Sequence, residues 1–336
     1  MDAPSQRQAP KRPFEKGEPR CLAELPASAR SESRPPPSIL PSPPIMLRFD
    51  PTNEPPPPRD SATVLFVRPA APSEADTERA AGGGGTALEV FCVRRHAASP
   101  FLGGAVVFPG GKLDAADSEC ATDGVDERAR AFATSPEHAL ALAVCACRES
   151  LEEAGLVPTT PALDDDSVAR ARAALGSGET LARIFSTTLL GRRLRTSALV
   201  PFSRWVTPEA ESRRYDARFF VARAPDGQRG QHDTRETTSG VWATPSRMLI
   251  AFERGDVLLA PPTLRCLELL RGLSVDEALA LAARQALAPI CPLFVAGEAP
   301  MLVLPGDPYH AIAERRIDGP TRFVLRDGKF VSEEPP

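Results

Sequence analysis

The sequence has no C-x-x-C pair, no apolar stretch of membrane-spanning length and no excess of basic residues. Each absence removes a class of function. The seven cysteines (Cys21, Cys92, Cys120, Cys145, Cys147, Cys266, Cys291) are odd in number and scattered. Neither a disulfide framework nor a zinc site is therefore indicated, and a reducing, cytoplasmic setting is expected. The amino terminus lacks the basic-then-apolar order of a secretory signal, and no membrane association is expected. With a net charge of −4 and a pI near 5.8, the electrostatic case for a general nucleic-acid binder is missing as well. The four histidines show no triad spacing, and His96 and His310 read as ordinary surface or loop residues. What remains is small-molecule chemistry on 336 residues, 42% of them hydrophobic, enough for a globular core.

The first sixty residues hold 16 of the 37 prolines, in runs such as "RPPPSILPSPP" and "NEPPPPRD". Such a composition buries too little apolar surface to offset chain entropy, so residues 1–60 are expected to be a disordered leader, with Met46 as a plausible internal start. Residues 61–336 are expected to form the folded domain. "SATVLFVRPA" and "ALEVFCVRR" read as a strand pair joined through "AGGGGT", and "GGAVVFPGGKLD" as a third apolar run ending in a turn. Ser118 to Thr134 reads as an inserted loop. Residues 162–188 look mostly helical, "SALVPFSRWVTP" and "YDARFFVARAP" look like strands, and "VWATPSRMLIAFERGD" reads as a strand leading into a helix. A last helix, "SVDEALALAARQ", opens on a capping box of Ser274 and Glu277. The order is mixed α and β without regular βα alternation.

"SPEHALALAVCACRESLEEAG" carries strong helix punctuation: Ser135 as N-cap, Pro136 at the first helical position and Gly155 as the stop. At 100° per residue, Val144, Cys147, Leu151 and Ala154 fall within about 40° of one line, a core-facing stripe. Glu149, Glu152 and Glu153 share the opposite face in the last turn, where the helix dipole already presents negative charge. No lysine or arginine follows to neutralise them; only Arg148 lies alongside. Two readings are open: a solvated acidic face, or a divalent cation supplying the missing charge, since clustered carboxylates are the hard ligands that magnesium and manganese prefer.

"RESLEEAGL", Arg148 to Leu156, resembles the R-E-U-x-E-E-x-G-U half of the Nudix hydrolase signature, where U is a bulky apolar residue; Ser150 departs at the first U. In "FPGGKLDAAD" Gly111 fits the signature glycine and Asp117 takes the place of its glutamate, but 30 residues rather than seven then precede Arg148. The Phe-Pro-Gly-Gly turn, Asp114, Asp117 and the long insert are similar to the acyl-coenzyme A diphosphatase branch of that family. So are "RWVTPEAESRRYDARFFVA", "ETTSGVWATPSRML" and "LVLPGDPYH". Arg95 and Gly104 stand at two positions of a coenzyme A-type signature, with Pro100 where a second arginine is expected. "VSEEPP" is no peroxisomal address, so localisation is not carried over.

The resemblance implies a Nudix α/β/α sandwich with a mixed sheet and a long insertion before the Nudix helix. It implies that Glu149, Glu152, Glu153 and the Gly111 carbonyl hold magnesium or manganese, and that Arg148 orients the glutamates. The general base is Glu149, Glu153 or Glu236. Asp114 and Asp117 either add contacts to the metal region or cap turns. Arg95, Arg213 and Arg214 are the candidates for binding substrate, in particular the 3′-phosphate of coenzyme A; Arg218 either meets a phosphate or is a solvated strand arginine. The expected activity is hydrolysis of the pyrophosphate of coenzyme A or acyl-coenzyme A. The alternatives are a diphosphatase of nucleotide sugars, dinucleotides or nucleoside triphosphates, and a non-catalytic sensing domain. The expected partner is a small molecule containing a diphosphate.

Overall fold

The computed structural model describes residues 55–71, 87–99, 101–233 and 235–336. The proline-rich leader up to residue 54, Met46 and the "AGGGGT" turn lie outside the described residues. Strand β1 (Arg59–Pro69) runs antiparallel to β2 (Leu88–Arg95) and parallel to β8 (Tyr215–Arg223). β8 pairs antiparallel with β7 (Val200–Val206), and β2 with both β3 (Val106–Val107) and β9 (Thr237–Ala243). The short β4 (Gly110–Lys112) lies antiparallel on the first residues of β1, and β5 (Thr159–Thr160) and β6 (Arg193–Leu194) form a separate antiparallel pair. The result is the expected mixed sheet.

Both faces of the sheet are covered, and the side-chain alternation of β1 shows why. Val64 and Phe66 point into one cluster with Val93 and Phe220, while Leu65 and Val67 point into another with Val90 and Val221. The first cluster is closed by α1 (Pro136–Ala154), α2 (Asp165–Gly176) and α3 (Leu181–Thr187). The second is closed by α4 (Pro245–Arg254), α5 (Pro261–Leu270) and α6 (Val275–Arg284). This is an α/β/α sandwich. The stripe on α1 is where the periodicity put it: Val144, Cys147, Leu151 and Ala154 are all fully buried. Its caps also agree, with the Ser135 side chain accepting from His138 N and Gly155 in the left-handed region at φ 62°.

Three features depart from the sequence reading. Residues 118–134 are not a bare loop: 3-10 turns form at Ala115–Glu119 and Glu127–Phe132, and Ala129 and Phe132 are buried. Arg128 fastens this insert to the other side of the fold by donating to the carbonyls of Pro201, Ala282 and Gln285. Helix α5 was not foreseen. Neither was the antiparallel sheet β10 (Leu293–Val295), β11 (Met301–Val303), β12 (Arg322–Arg326) and β13 (Lys329–Glu333), which packs Leu302, Phe323 and Phe330 into the second core. Buried Arg265 of α5 secures it through the carbonyls of Asp318 and Pro320 and the hydroxyl of Ser332.

Arg218 is neither a solvated strand arginine nor a phosphate ligand. Only 2% exposed, it donates to the Phe132 and Asp216 carbonyls and to the Asp60 carboxylate, while Arg204 holds Asp216 through two bonds of 2.9 and 2.7 Å. It thus couples β1, β8 and the end of the insert. Removing one member of such a buried network costs about 3–5 kcal/mol; here Asp216 keeps Arg204 and Asp60 reaches solvent, so Arg218→Met is expected to lose roughly 2–3 kcal/mol. Urea unfolding measures it, and a loss below about 1 kcal/mol would mean that the network contributes little.

Candidate active site

The last turn of α1 ends in carbonyls that would repel the glutamates beside them, and each of those carbonyls is taken. Glu152 O accepts from Arg172 Nε and Nη2 of α2, at 3.2 and 2.7 Å. Glu153 O accepts from Asp233 N and Ala154 O from Gln231 N. Arg172 is the cation that the local sequence lacked; it arrives from the neighbouring helix. Ser150, the departure from the signature, is fully buried, with its hydroxyl against the Leu156 carbonyl at 2.8 Å and the Cys147 carbonyl at 3.1 Å. A bulky apolar residue there could not serve that helix end.

The three glutamates do not form a solvated face. Glu153 is 3% exposed and accepts from the Gly110 amide at 3.0 Å, with Arg95 Nη1 at 3.9 Å. Glu149 lies against Gly111 so closely that a Cβ added to that glycine would stand 2.4 Å from its carboxylate; only glycine admits the approach. Glu152 is half-exposed. Arg148 grips Asp117 with Nε at 2.7 Å and Nη2 at 3.0 Å, donates Nη1 to Glu149 at 2.8 Å and also reaches the Lys112 carbonyl. Burial opposes its charge, but the bonds and charges of Asp117 and Glu149 outweigh that, and its pKa is raised. Asp117 therefore serves Arg148. Asp114 caps the turn at Ala115–Glu119, accepting from Ala116 N, as the turn-capping reading held.

Burial pushes the Glu153 carboxyl up to about 8; the Gly110 amide and Arg95 oppose the shift, and the charges of Glu149 and Glu236 add to it. Burial also raises Glu149, against the pull of Arg148, with Glu152 and Glu236 adding repulsion. Glu236 comes from the turn before β9 and is exposed at the same cleft. That cleft has about 370 Å³ of room and reaches from Glu149, Gly110 and Gly111 past Arg95 and Glu236 to an apolar wall. Arg213 lines it too. Arg214 does not: its nearly buried guanidinium donates Nε to the Thr207 carbonyl and Nη1 to the Pro56 carbonyl. His96 turns its Nδ1 to Ala98 N, and His310 bonds Ile312 N and the Cys291 carbonyl, so neither enters the site.

Among the described residues no group of three or more His, Cys, Asp or Glu side chains already stands arranged around a metal ion. Glu149 is held by Arg148, and Glu153 by Gly110 and Arg95. The donor chemistry fits magnesium or manganese all the same. Glu149, half-buried, and Glu153, buried, are hard oxygen ligands; the charge of Glu149 helps raise Glu153, and those of Glu152 and Glu236 help raise Glu149. The Gly111 carbonyl lies on β4, where it takes a weak bond from the Cys145 thiol at 3.7 Å.

Residues 120–271 match the model of the NUDT19 Nudix domain. A NUDIX hydrolase from Alicyclobacillus acidocaldarius, 24% identical, superposes with a TM-score of 0.51 over 67% of this chain and 96% of that chain. The superposition shows a Nudix fold, and residues 120–271, which contain the glutamate helix, are similar to a Nudix hydrolase domain. Within that class the chain is similar to the acyl-coenzyme A diphosphatase NUDT19 of Gallus gallus, at 26% identity over 52% of this chain and 58% of that protein. It thus spans little more than half the length of this relative.

A carboxyl raised from 4.5 to about 8 on folding contributes stability that is complete below pH 4.5 and is lost as the pH climbs through 8. In chelator, the melting temperature of the metal-free protein is therefore expected to fall across that window, and Glu153→Gln to flatten the fall and melt higher at pH 8.5. Parallel pH curves for the two proteins would show that Glu153 is not the buried acid described.

Proposed function

We propose that this protein is a metal-dependent diphosphatase that cleaves the pyrophosphate of coenzyme A or an acyl-coenzyme A. The products are 4′-phosphopantetheine, or its acyl form, and adenosine 3′,5′-bisphosphate. One observation carries the reading: half-buried Glu149 and the Gly110–Gly111 turn line a cleft that also holds Arg95 and Glu236, and buried Glu153 accepts from the Gly110 amide. Magnesium or manganese, held by Glu149, Glu152, Glu153 and the Gly111 carbonyl, would supply charge neutralisation on the diphosphate and activation of water. Coenzyme A is favoured over other diphosphates by the similarity to the Gallus gallus enzyme and by the apolar wall of the cleft.

The chain's own residues divide the remaining work. Arg148 is a positioning residue, because its three nitrogens are occupied by Asp117, Glu149 and Lys112. Arg95 faces the glutamates, and its Nε is buried without a partner, so it is poised to donate to a phosphoryl oxygen. This assigns Arg95 to the diphosphate, and leaves Arg213, exposed at the same cleft, for the 3′-phosphate. Glu149, Glu153 and Glu236 border the place where water would attack, and one of them takes its proton. Residues 61–336 are read as the catalytic unit. The six free cysteines among the described residues suit a cytoplasmic enzyme, and no described helix is long and apolar enough to cross a membrane.

The test is a panel of coenzyme A esters, nucleotide sugars and dinucleotides incubated with magnesium or manganese, with products identified by mass spectrometry. Glu149→Gln and Glu153→Gln are each expected to lower kcat by at least about a hundredfold, roughly 2.7 kcal/mol of transition-state stabilisation, while remaining folded. Turnover absent with every substrate and both metals would leave a sensing domain as the better reading. Arg95→Ala is expected to reduce kcat/KM about ten- to a hundredfold, and equally for coenzyme A and dephospho-coenzyme A. A loss confined to coenzyme A would return Arg95 to the 3′-phosphate.

A further inference from the structure

The end of the cleft away from the glutamate helix contains an acid that the chemistry above does not use. Glu211 sits in the turn between β7 and β8, lines the cleft and is 8% exposed. Its Oε1 is buried with no hydrogen-bond partner. The polar side chains at the strand ends that flank its turn are matched among themselves: Trp205 Nε1 donates to the Ser203 hydroxyl, and the Thr207 hydroxyl pairs with the amide and carbonyl of Tyr215. Burial alone raises the Glu211 carboxyl to about 7. A buried carboxylate is expected to be paired, and one that is not calls for an explanation.

We propose that Glu211 is a substrate-selecting residue that accepts a hydrogen bond from an N–H donor on the uncharged part of the substrate's remote arm. Its surroundings define that arm. Trp205, Phe219, Leu302 and Phe330 give the neighbouring wall an apolar surface suited to a flat ring or an alkyl amide. A phosphate would meet the carboxylate's repulsion at this point, so the donor belongs to a neutral group. Two such groups exist in the substrate proposed above, the amino group of adenine and the amides of pantetheine. Arg213 lies two residues further along the same turn, exposed, where it can take the 3′-phosphate; this favours the adenosine arm at Glu211. The identity of the two arms rests on the coenzyme A reading, whereas the unpaired acid does not.

The experiment uses the full chain and two phosphate-free probes, adenosine and pantetheine, titrated by ligand-observed NMR into the wild type, Glu211→Ala and Glu211→Gln. One probe is expected to bind the wild type and to bind Glu211→Ala about tenfold more weakly. Glu211→Gln, which keeps an acceptor oxygen, should lose only about two- to threefold. The weakened probe identifies the arm. Both variants should melt at or above the wild-type temperature, because an acid kept unpaired for a ligand costs the free protein stability. Failure of both probes to bind the wild type overturns the proposal, as does equal binding by Glu211→Ala. A lower melting temperature in both variants would make Glu211 structural and overturn it too. Coenzyme A turnover is measured separately: its absence from the wild type would remove the diphosphatase reading while the probe titrations still decide whether Glu211 binds an N–H donor.

Discussion

The fork of Arg148 on Asp117 is the contact on which the site depends. Four carboxylates, Asp117, Glu149, Glu152 and Glu153, gather at the carboxyl end of a helix, where the backbone dipole also opposes them. Arg148 meets two of these acids and the Lys112 carbonyl at once, so a single guanidinium binds the helix, the turn at Ala115–Glu119 and β4 into one unit. A planar fork can do this and a lysine cannot, since the geometry needs two parallel bonds to Asp117 and a third donor set at an angle to them. Glu149 is then aimed at the turn rather than at solvent. The absence of a side chain at Gly111 lets the carboxylate come within contact of the backbone.

The same helix end places the second wall of the site. Because Glu153 O and Ala154 O lack partners within α1, they recruit the amides of Asp233 and Gln231. Asp233 in turn accepts from the amides of Glu236 and Thr237 and from the Thr237 hydroxyl, which sets the turn leading into β9. Glu236 owes its position at the cleft to this chain of bonds. Gln228 continues it by pairing with both the amide and the carbonyl of Val157. Unsatisfied helix carbonyls thus order a loop some eighty residues downstream.

Much of this was legible in the sequence, for physical reasons that differ between elements. The ends of α1 and α6 could be read because their caps are local: Ser135, Pro136 and Gly155, and the Ser274–Glu277 box, act within a turn of their own helix. The core stripe of α1 and the strands of the central sheet could be read because burial imposes a period. The fate of the glutamates could not, since it turns on Arg172, Gly110 and Arg95, which lie on other elements. Strands β10 and β11 are three residues each with one side partly exposed, too short for alternation to register. The insert looked like a loop because its cohesion comes from Arg128 reaching carbonyls 73 to 157 residues away. Arg213, Arg214 and Arg218 look alike in sequence, yet one faces the cleft, one is spent on carbonyls and one is inside an ion network.

The cleft joins two parts of the fold with different packing. Its polar floor comes from α1 and the Gly110–Gly111 turn, on the side of the sheet closed by the first core. Its apolar wall includes Pro292, Leu302 and Phe330, from residues beyond the stretch that matches the Nudix domain model. A change of side chain on that wall is felt by the second core and by the arm of the substrate, while the Arg148 fork, on the opposite side of the sheet, is left as it was. The floor has the opposite character: Gly111, Glu149, Arg148 and Asp117 touch in series, so none can change size without displacing the next. The floor is therefore held by side chains in direct contact, Arg148 with Asp117 and Glu149, and Glu149 with Gly111. Selectivity falls to a wall of separate side chains in which Glu211 is the one buried polar atom still unmatched among the described residues lining that end.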